Sequence, residues 1–297
     1  MNTTNTFPKK LKIKIAIAIP SSILENCQDL RSKTEKIGII ARTCAIFKVE
    51  EIFIYPHYFK SKNSIKKNNL DFITTIFNFL ECPPYLRKRL FPISPFLKFS
   101  GLLPPLKITH HILKNRFENL ELGETREGLV IESNNKFSKI DIGFPQKFHL
   151  DIPNLNINSR VTVIVKKQNS KIILSKIDTN KLEYYWGYKV YIKDLKYILD
   201  SYKNFCIILT SKYGNNIVKN NIKLINKILQ ISKLLIVFGA PFEGLFPIFE
   251  KKKIKIQNIN YFNLNMIPNQ GTETITTEEA IICSLSVLNF LYWDSIQ

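Results

Sequence analysis

Hydrophobic and polar positions predict buried strands alternating with helices at the start of the chain. Residues 12–20 alternate and then become continuously apolar, and a second apolar run follows at 51–55. Between them, apolar positions recur at helical spacing over 28–47. Continuous apolar runs are typical of strands buried on both faces, and a helix between two such strands indicates a parallel β-α-β unit. The fold class predicted from this pattern is α/β with a parallel sheet.

The same kind of pattern returns after residue 183 and continues to the last apolar run. A helix is also predicted before the middle of the chain, at 71–80, between a polar loop at 60–69 and a proline-rich irregular path. In the second half, helices are predicted at 194–202 and 220–229, strands at 205–209 and 234–238, and a terminal helix within 280–291. A polar turn is predicted at 210–214, directly after the first of these strands.

The pattern changes between about 106 and 182, where short alternating runs are separated by Asn, Pro and Gly. This spacing is typical of a small barrel or sandwich. We therefore expect an all-β domain at 106–182, which interrupts an α/β domain made of 1–105 and 183–297. The predicted strands are 128–132, 138–142, 160–166 and 171–177.

Two glycine-containing segments near the end of the chain are the strongest candidates for a ligand site. Residues 238–245 read Phe-Gly-Ala-Pro-Phe-Glu-Gly-Leu and follow an apolar strand, and residues 267–274 read Ile-Pro-Asn-Gln-Gly-Thr-Glu-Thr. Glycines at strand ends bend the chain and expose backbone groups to a ligand. Neither segment has the glycine spacing of a phosphate-binding loop. A mostly neutral pocket of this kind suits a nucleoside without phosphates.

These residues also carry a family resemblance. Segment 238–245 and segment 269–280, Asn-Gln-Gly-Thr-Glu-Thr-Ile-Thr-Thr-Glu-Glu-Ala, resemble the SPOUT methyltransferases, in the archaeal and eukaryotic branch with an OB-like β-barrel insert. The resemblance implies a C-terminal trefoil knot, S-adenosylmethionine as cofactor, a homodimer, and methylation of an RNA base, with uridine N3 of ribosomal RNA as a candidate. Carried over to this chain, the cofactor-binding residues would be Thr210, Ser211, Gly239, Phe242, Gly244, Leu245, Ile267, Asn269, Gln270, Gly271 and Thr272.

The charge of the chain favours an acidic partner such as RNA. There are 43 basic and 24 acidic residues, a formal net charge of +19, and residues 106–182 hold 13 basic and 8 acidic ones. Codon bias is the alternative explanation, because only seven of the basic residues are Arg. All seven Arg lie in the first 160 residues, away from the proposed cofactor segments. The resemblance then implies where RNA binds, because it covers the segments that contain these candidates. The RNA-binding candidates are Arg42, Arg87, Lys88, Arg89, His110, His111 and Arg126.

Several of these candidates also have simpler interpretations. Arg42, which lies in a family-like segment and is the candidate catalytic residue, also fits a helix-surface charge. Residues 87–89 also fit a solvated helix end, and the His110-His111 pair also fits a surface turn. In addition, no general base is evident, and Thr276 stands where relatives often carry Arg. The alternative function is therefore an RNA-binding or assembly protein that keeps the fold but has lost methyl transfer.

The remaining features predict an intracellular protein. Five scattered cysteines are typical of reduced thiols, and no metal site is expected because their spacing and that of the histidines fits none. No signal peptide is evident, and the longest apolar run, 281–293, is too short to span a bilayer, so no membrane association is expected. The compartment would be the cytoplasm in an archaeon, and the nucleus or nucleolus in a eukaryote.

Overall fold

A computed structural model describes residues 7–58, 63–112, 120–168, 171–257 and 259–296. The chain divides into two compact units. Unit 1 comprises Phe79–Ser94 and Leu106–Trp186, together with the described residues before Lys10. Unit 2 comprises Lys10–Asn78, Pro95–Pro105 and Gly187–Gln297. The unit that contains the interrupting domain thus also takes in residues 79–94, beyond the range 106–182 expected from the sequence.

Unit 2 is built on a six-stranded parallel sheet. With strands numbered in chain order over the whole molecule, the spatial order is β11-β9-β10-β1-β2-β8, and all five pairings are parallel. The two central strands, β10 and β1, carry continuous apolar runs, because both faces of a parallel sheet are covered. The bounds are β1 Lys14–Pro20, β2 Glu51–Tyr55, β8 Lys189–Ile192, β9 Cys206–Asn216, β10 Lys233–Val237 and β11 Tyr261–Asn265.

Seven α-helices occur in the described part of the chain. The carboxylate of Asp29 accepts a hydrogen bond from the Ser32 amide and begins the first helix, and Asn216 caps the fifth in the same way. None of the described helices is long and apolar enough to cross a membrane. The bounds are α1 Leu30–Ile46, α2 Asn63–Glu81, α3 Pro84–Leu90, α4 Leu195–Tyr202, α5 Ile217–Leu229, α6 Leu245–Lys251 and α7 Thr277–Ile296.

Most of the predicted elements of unit 2 are confirmed, with three differences. The polar loop expected at 60–69 is wrong from residue 63 onward, where α2 begins; residues 59–62 lie outside the described residues. The strand expected at 205–209 continues to Asn216 as β9. The short strands β8 and β11 were not predicted, because the residues of β8 are exposed or half-buried and those of β11 mix polar with apolar side chains.

Unit 1 contains a five-stranded antiparallel sheet in the order β5-β4-β3-β6-β7. Residues of β5 also approach β7, so the sheet is nearly closed into a barrel. Alternate side chains such as Val130, Ile140 and Val163 fill its interior, as the period of a strand requires. All four predicted strands are confirmed, and the three-residue β5 was too short to recognise. The bounds are β3 Thr125–Ser133, β4 Ser138–Asp141, β5 Phe148–Leu150, β6 Arg160–Gln168 and β7 Lys171–Lys176.

Candidate active site

Three segments predicted to bind a cofactor lie within or directly after three neighbouring parallel strands. Because β11, β9 and β10 run in the same direction side by side, their carboxyl ends lie at one edge of the sheet. The hydroxyl of Thr210 in β9 donates a hydrogen bond of 2.9 Å to the carbonyl oxygen of Val237, the last residue of β10. This edge is where open α/β sheets bind ligands.

The first segment, residues 210–214, is not the polar turn that the sequence predicted. Thr210 and Ser211 belong to the continuous strand β9. This strand pairs with β11 at 207–209 and again at 215–216, so the register shift between Asn263 and Leu264 spans residues 210–214 of β9. The two backbones approach closely at Gly214. A Cβ atom there would lie only 2.6 Å from the carbonyl carbon of Leu264, so glycine is required for this pairing.

The second segment is a tight turn between β10 and α6. The amide of Ala240 donates to the carbonyl of Glu243 at 2.8 Å, and the amide of Glu243 donates back at 3.3 Å. A Cβ atom on Gly239 would lie 3.3 Å from the same Glu243 oxygen, so the turn packs tightly against Gly239. Gly244 is the N-cap residue of α6, the adjacent Leu245 is buried, and the Phe242 side chain is 57% exposed.

The third segment begins after β11 and is open to solvent at its glycine. The amide of Ile267 donates to the Asn265 side chain at 3.0 Å, and Asn269 has a left-handed backbone with φ of 66°. The Gln270 amide group donates to the carbonyl of Thr272 at 2.9 Å. A Cβ atom on Gly271 would meet no atom within 4 Å. The segment is therefore held by its own polar side chains, with free space beside Gly271.

A lysine joins the first segment to the third. The ammonium group of Lys212 donates to the carbonyl oxygen of Glu273 at 2.6 Å, and the Asn265 side chain donates to the carbonyl of Lys212 at 2.9 Å. These contacts, with the bond from Thr210 to β10, bring all three predicted segments together. The segments that contain the eleven candidate cofactor residues therefore lie in one region of unit 2, and their binding of a cofactor stays a prediction.

Sequence reasoning missed a buried polar network at the same edge of the sheet. Nδ1 of His57 lies 2.8 Å from the Ser22 hydroxyl, and Nε2 lies 3.0 Å from a carboxylate oxygen of Glu243. Ser21 bonds to both the amide and the carbonyl of His57. The network thus links the residues after β1 and β2 to the turn after β10. Polar residues directly after two buried strands were the available signal, because the carboxyl ends of parallel strands share an edge.

Glu243 is the acidic member of this network, and its carboxylate is held in the charged form. Burial raises the pKa of Glu243, but hydrogen bonds from Lys251 and His57 outweigh it and lower the pKa below its usual range. The phenol of Tyr55 donates to the carbonyl of Phe238 at 2.7 Å and holds the start of the same turn. The backbone of the second segment is thereby anchored on both sides of Gly239.

Arg42, the candidate catalytic residue, is half-buried in α1. Its Nη1 donates to the carbonyl oxygen of Pro105, which belongs to the same unit. At the same helix, a Cβ atom on Gly38 would overlap the Leu103 side chain. Arg42 therefore helps to hold segment 95–105 against α1, and a contact with RNA stays a prediction.

The three basic residues of α3 have different environments. Arg87 donates to the carbonyls of Cys82 at 3.0 Å and Leu80 at 2.9 Å, which caps the end of α2. Arg89 is half-exposed and lies 2.9 Å from Asp141. Lys88 is exposed. Arg89 and Lys88 therefore have exposed surface that an anionic partner can contact, whereas Arg87 is hydrogen-bonded to backbone carbonyls at the end of α2.

His110, His111 and Arg126 do not form an RNA-facing surface. His110 and Arg126 are both 0% exposed, and Arg126 donates to Glu124 and to the carbonyl of Ile142. The half-buried His111 donates a hydrogen bond from Nε2 to the carbonyl oxygen of Glu81 at 2.8 Å. These three side chains stabilise the interior of unit 1, and we leave them out of the proposed interface.

His110 is part of a buried charged cluster around Glu81. Both nitrogens of the Arg160 fork bond to the Glu81 carboxylate, and Nε of Arg160 lies 3.1 Å from Glu127. Glu127 in turn accepts from the Trp186 indole. Burial raises the pKa of Glu81, but Arg160 and His110 outweigh it and lower the pKa to about 2. The cluster joins five separate stretches of unit 1, and burial keeps Glu81 and His110 away from solvent.

The comparisons with known proteins agree with the geometry. The model of a family described as "Putative RNA methyltransferase" matches residues 14–288. The chain belongs to this RNA methyltransferase family. A human 28S rRNA (uridine-N(3))-methyltransferase is 30% identical over 305 residues, which cover 92% of this chain and 77% of the human protein.

Two further matches are with an archaeal protein and with a solved structure. An uncharacterized protein of Halobacterium salinarum is 23% identical over 286 residues, covering 92% of this chain and 98% of that protein. A solved RNA 2′-O ribose methyltransferase aligns with 98% of this chain and 61% of its own chain, at 7% identity and a TM-score of 0.37. The recognition of a SPOUT-type RNA methyltransferase from the two C-terminal segments is confirmed by the family match.

The site of this methyltransferase fits a cofactor that carries a nucleoside and a sulfonium. The space beside Gly271 leaves room for a ligand. The side chains of Thr210, Asn269 and Gln270 are uncharged and can form hydrogen bonds with it. Lys212, the one cation of the first segment, is bonded to a backbone carbonyl. Among the residues that the structure describes, no three His, Cys, Asp or Glu side chains form a group that could hold a metal ion.

Proposed function

We propose that this RNA methyltransferase transfers the methyl group of S-adenosylmethionine to N3 of a uridine in ribosomal RNA. The observation that carries the proposal is the convergence of three segments, 210–214, 238–245 and 267–274, at the carboxyl edge of β11, β9 and β10. The printed activity of the human relative supports the choice of ribosomal uridine N3.

The cofactor would supply an electrophilic methyl group on a positively charged sulfur. In the transfer, a carbon–sulfur bond breaks, a carbon–N3 bond forms, and the N3 proton is released. Thr210, Asn269, Gln270 and the backbone beside Gly271 would bind the nucleoside, while Phe242 and Leu245 would cover it. Orientation of two reactants can supply roughly 7–11 kcal/mol of the barrier, so the main work of these residues is alignment.

The proposed fold of unit 2 includes the trefoil knot. Its strand order supports this, because β11 pairs with β9 and not with β10, the strand before it in the chain. The connection from β10 to β11 therefore passes across β9. For unit 1 we propose an OB-like barrel, supported by its five strands and the approach of β5 to β7.

The proposed partners are ribosomal RNA and a second copy of the chain, inside the cell. RNA binding is supported by the net charge of +19 and by the exposed Lys88 and half-exposed Arg89. A homodimer is supported by exposed apolar side chains on two contacting helices of unit 2, Ile39 and Ile46 on α1 and Ile282 and Phe290 on α7. Closed two-fold dimers are the commonest oligomers.

Isothermal titration with S-adenosylhomocysteine tests the cofactor site. We expect saturable binding of one ligand per chain. Binding of RNA without binding of this ligand would favour the alternative, an RNA-binding protein that has lost methyl transfer. Binding of neither would remove the basis of the proposed function.

A further inference from the structure

An aromatic pair lies on the outer face of the antiparallel sheet in unit 1. The rings of Phe137 and His149 stack with their centroids 4.3 Å apart and their planes at 19°. His149 is exposed and Phe137 is half-buried. Neither ring belongs to the hydrophobic core, which takes Ile140, Phe148 and Leu150 from the opposite face of the same two strands.

The position of Phe137 is set before any partner arrives. The side chain of Asn134 accepts the amides of Lys136 at 2.8 Å and Phe137 at 2.9 Å, and the Asn134 amide donates to the carbonyl of Phe137 at 3.0 Å. This turn between β3 and β4 therefore holds the ring in place. A preorganised aromatic surface loses little side-chain freedom when a ligand stacks on it.

Basic groups accompany the aromatic pair along β4. Lys139 lies opposite His149 in the strand pairing, and Lys136 is exposed in the adjoining turn. Two residues further along the same face, the Asp141 carboxylate holds two cations. Its oxygens lie 2.9 Å from Nε of Arg89 and 2.9 Å from Nζ of Lys147.

The cluster around Asp141 carries a net positive charge in a fixed position. One carboxylate, 5% exposed, faces two cations, and the Arg89 side chain is 50% exposed. Glu132 lies opposite Lys139 in the β3–β4 pairing and forms an ion pair with it at 3.2 Å, and the exposed Asp151 follows β5 in the chain. The face therefore combines stacked rings with an excess of lysine and arginine. Aromatic stacking beside backbone-tracking cations is the physical basis of single-strand binding.

We propose that this face, formed by Phe137, His149, Lys136, Arg89 and Lys147, binds an unpaired stretch of RNA. A base stacks on the Phe137–His149 pair, and the neighbouring phosphates contact the cations that Asp141 and the β3–β4 turn hold. This inference rests on the proposed function, because it assigns the RNA partner of the methyltransferase to a defined surface. It also implies that the substrate region includes an unpaired segment apart from the methylated base.

Fluorescence anisotropy with a labelled single-stranded oligouridine tests the proposal in the full-length protein. Phe137→Ala and His149→Ala each remove part of the stacking surface, and we expect affinity to fall about five- to hundredfold. Ile157→Ala is the matched control, since Ile157 is also an exposed apolar residue of unit 1, at 58%. It should bind as the wild type does.

Salt dependence separates the phosphate contacts from the stacking contacts. Arg89→Gln and Lys147→Gln should each reduce the slope of log affinity against log salt by about one, whereas Phe137→Ala should leave that slope unchanged. Oligouridine that carries 4-thiouridine should photocrosslink to the peptides that contain Phe137 or His149. Crosslinks confined to other peptides would contradict the assignment.

Titration of the same variants with S-adenosylhomocysteine distinguishes the possible failures. Equal RNA affinity in wild type, Phe137→Ala, His149→Ala and Ile157→Ala, with cofactor binding intact, would overturn this surface and leave the proposed function standing. A wild-type protein that binds the cofactor but no single-stranded RNA would also overturn it. A protein that binds neither ligand would overturn both proposals.

Discussion

His57 and Glu243 lie 186 positions apart in the chain, yet Nε2 of His57 is 3.0 Å from the Glu243 carboxylate. The contact joins the residue after β2 to the turn after β10, and the side chains of both are 7% exposed. Lys251 pairs with the second carboxylate oxygen. Because that turn contains Gly239 and Gly244, the pair holds one of the three segments of the proposed cofactor site.

The first prediction concerns Glu243→Gln. This change keeps the shape of the side chain but removes the charge that His57 and Lys251 contact, and hydrogen bonds to charged groups contribute about 1.5–3 kcal/mol. We expect affinity for S-adenosylhomocysteine to fall by about one to two orders of magnitude, measured by calorimetry. Glu250→Gln, on the exposed face of α6, is the control and should bind normally. Unchanged affinity in Glu243→Gln would show that the network does not support the site.

The second prediction compares two glycines that both have room for a side chain, Gly271 in the proposed cofactor site and Gly101 outside it. A Cβ atom on Gly271 or on Gly101 would meet nothing within 4 Å, so valine fits the fold at either position. Gly271→Val should abolish cofactor binding because its side chain would occupy space meant for the ligand. Gly101→Val should bind as the wild type does, and both should keep the wild-type melting temperature. Cofactor affinity that survives in Gly271→Val would place the ligand elsewhere.

The fold of unit 2 was largely predictable, but the contacts of its site were not. Buried strands such as 234–238 can be recognised from their continuous apolar residues, and the helix at 28–47 can be recognised from the helical spacing of its apolar residues. The extension of β9 through Gly214 depends on β11, which lies some fifty residues later in the chain. Likewise, His57 acquires its role only from Ser22 and Glu243, which the sheet brings to it. Pairing between distant strands decides both features, and no local pattern encodes it.

The RNA-binding candidates show a related limit. A cluster of histidine and arginine in the sequence looks the same whether it faces solvent or a buried carboxylate. In the structure, Glu81 and Glu127 lie in the interior of unit 1. His110 contacts Glu81, and Arg160 contacts both carboxylates. Burial of the acidic partners therefore decides which basic residues remain available, and the sequence alone carries no sign of it.

The third prediction is that unit 1 loses stability in mild acid through His111. Burial, with a smaller effect of His110, lowers the pKa of His111 from its usual 6.5 to about 3. The unfolded chain thus binds a proton near pH 6.5 that the folded chain binds only near pH 3, so stability is present above 6.5 and is lost as the pH falls toward 3. Between pH 7 and pH 5 the loss should be up to roughly 2 kcal/mol.

Urea unfolding followed by Trp186 fluorescence, in a Trp293→Phe background, measures this loss. His111→Gln cannot titrate, and its amide can still donate to the carbonyl of Glu81. Its stability should therefore depend less on pH in this range than that of the wild type. Identical pH profiles for the two proteins would contradict the assignment to His111. Below pH 4.5 both should weaken further, because the pKa of Glu81 is lowered to about 2.

The fourth prediction is that the protein dimerises through α1 and α7. Phe290 is 84% exposed and Ile46 is 59% exposed, so a charge at either position should disturb an interface but not the monomer. We expect a dimer mass for the wild type by light scattering and a monomer mass for Phe290→Glu. Tyr197→Glu, at a similarly exposed site on α4, should remain dimeric. A monomeric wild type at micromolar concentration would contradict the proposal.

The central claim is methyl transfer from S-adenosylmethionine to uridine N3, and nucleoside analysis tests it most directly. Purified protein is incubated with S-adenosylmethionine and unmodified large-subunit ribosomal RNA, which is then digested and analysed by mass spectrometry. We predict 3-methyluridine with the wild type and with Gly101→Val, and none with Gly271→Val. A wild-type protein that binds both ligands but yields no 3-methyluridine, or that methylates a ribose or another base atom, would contradict the account.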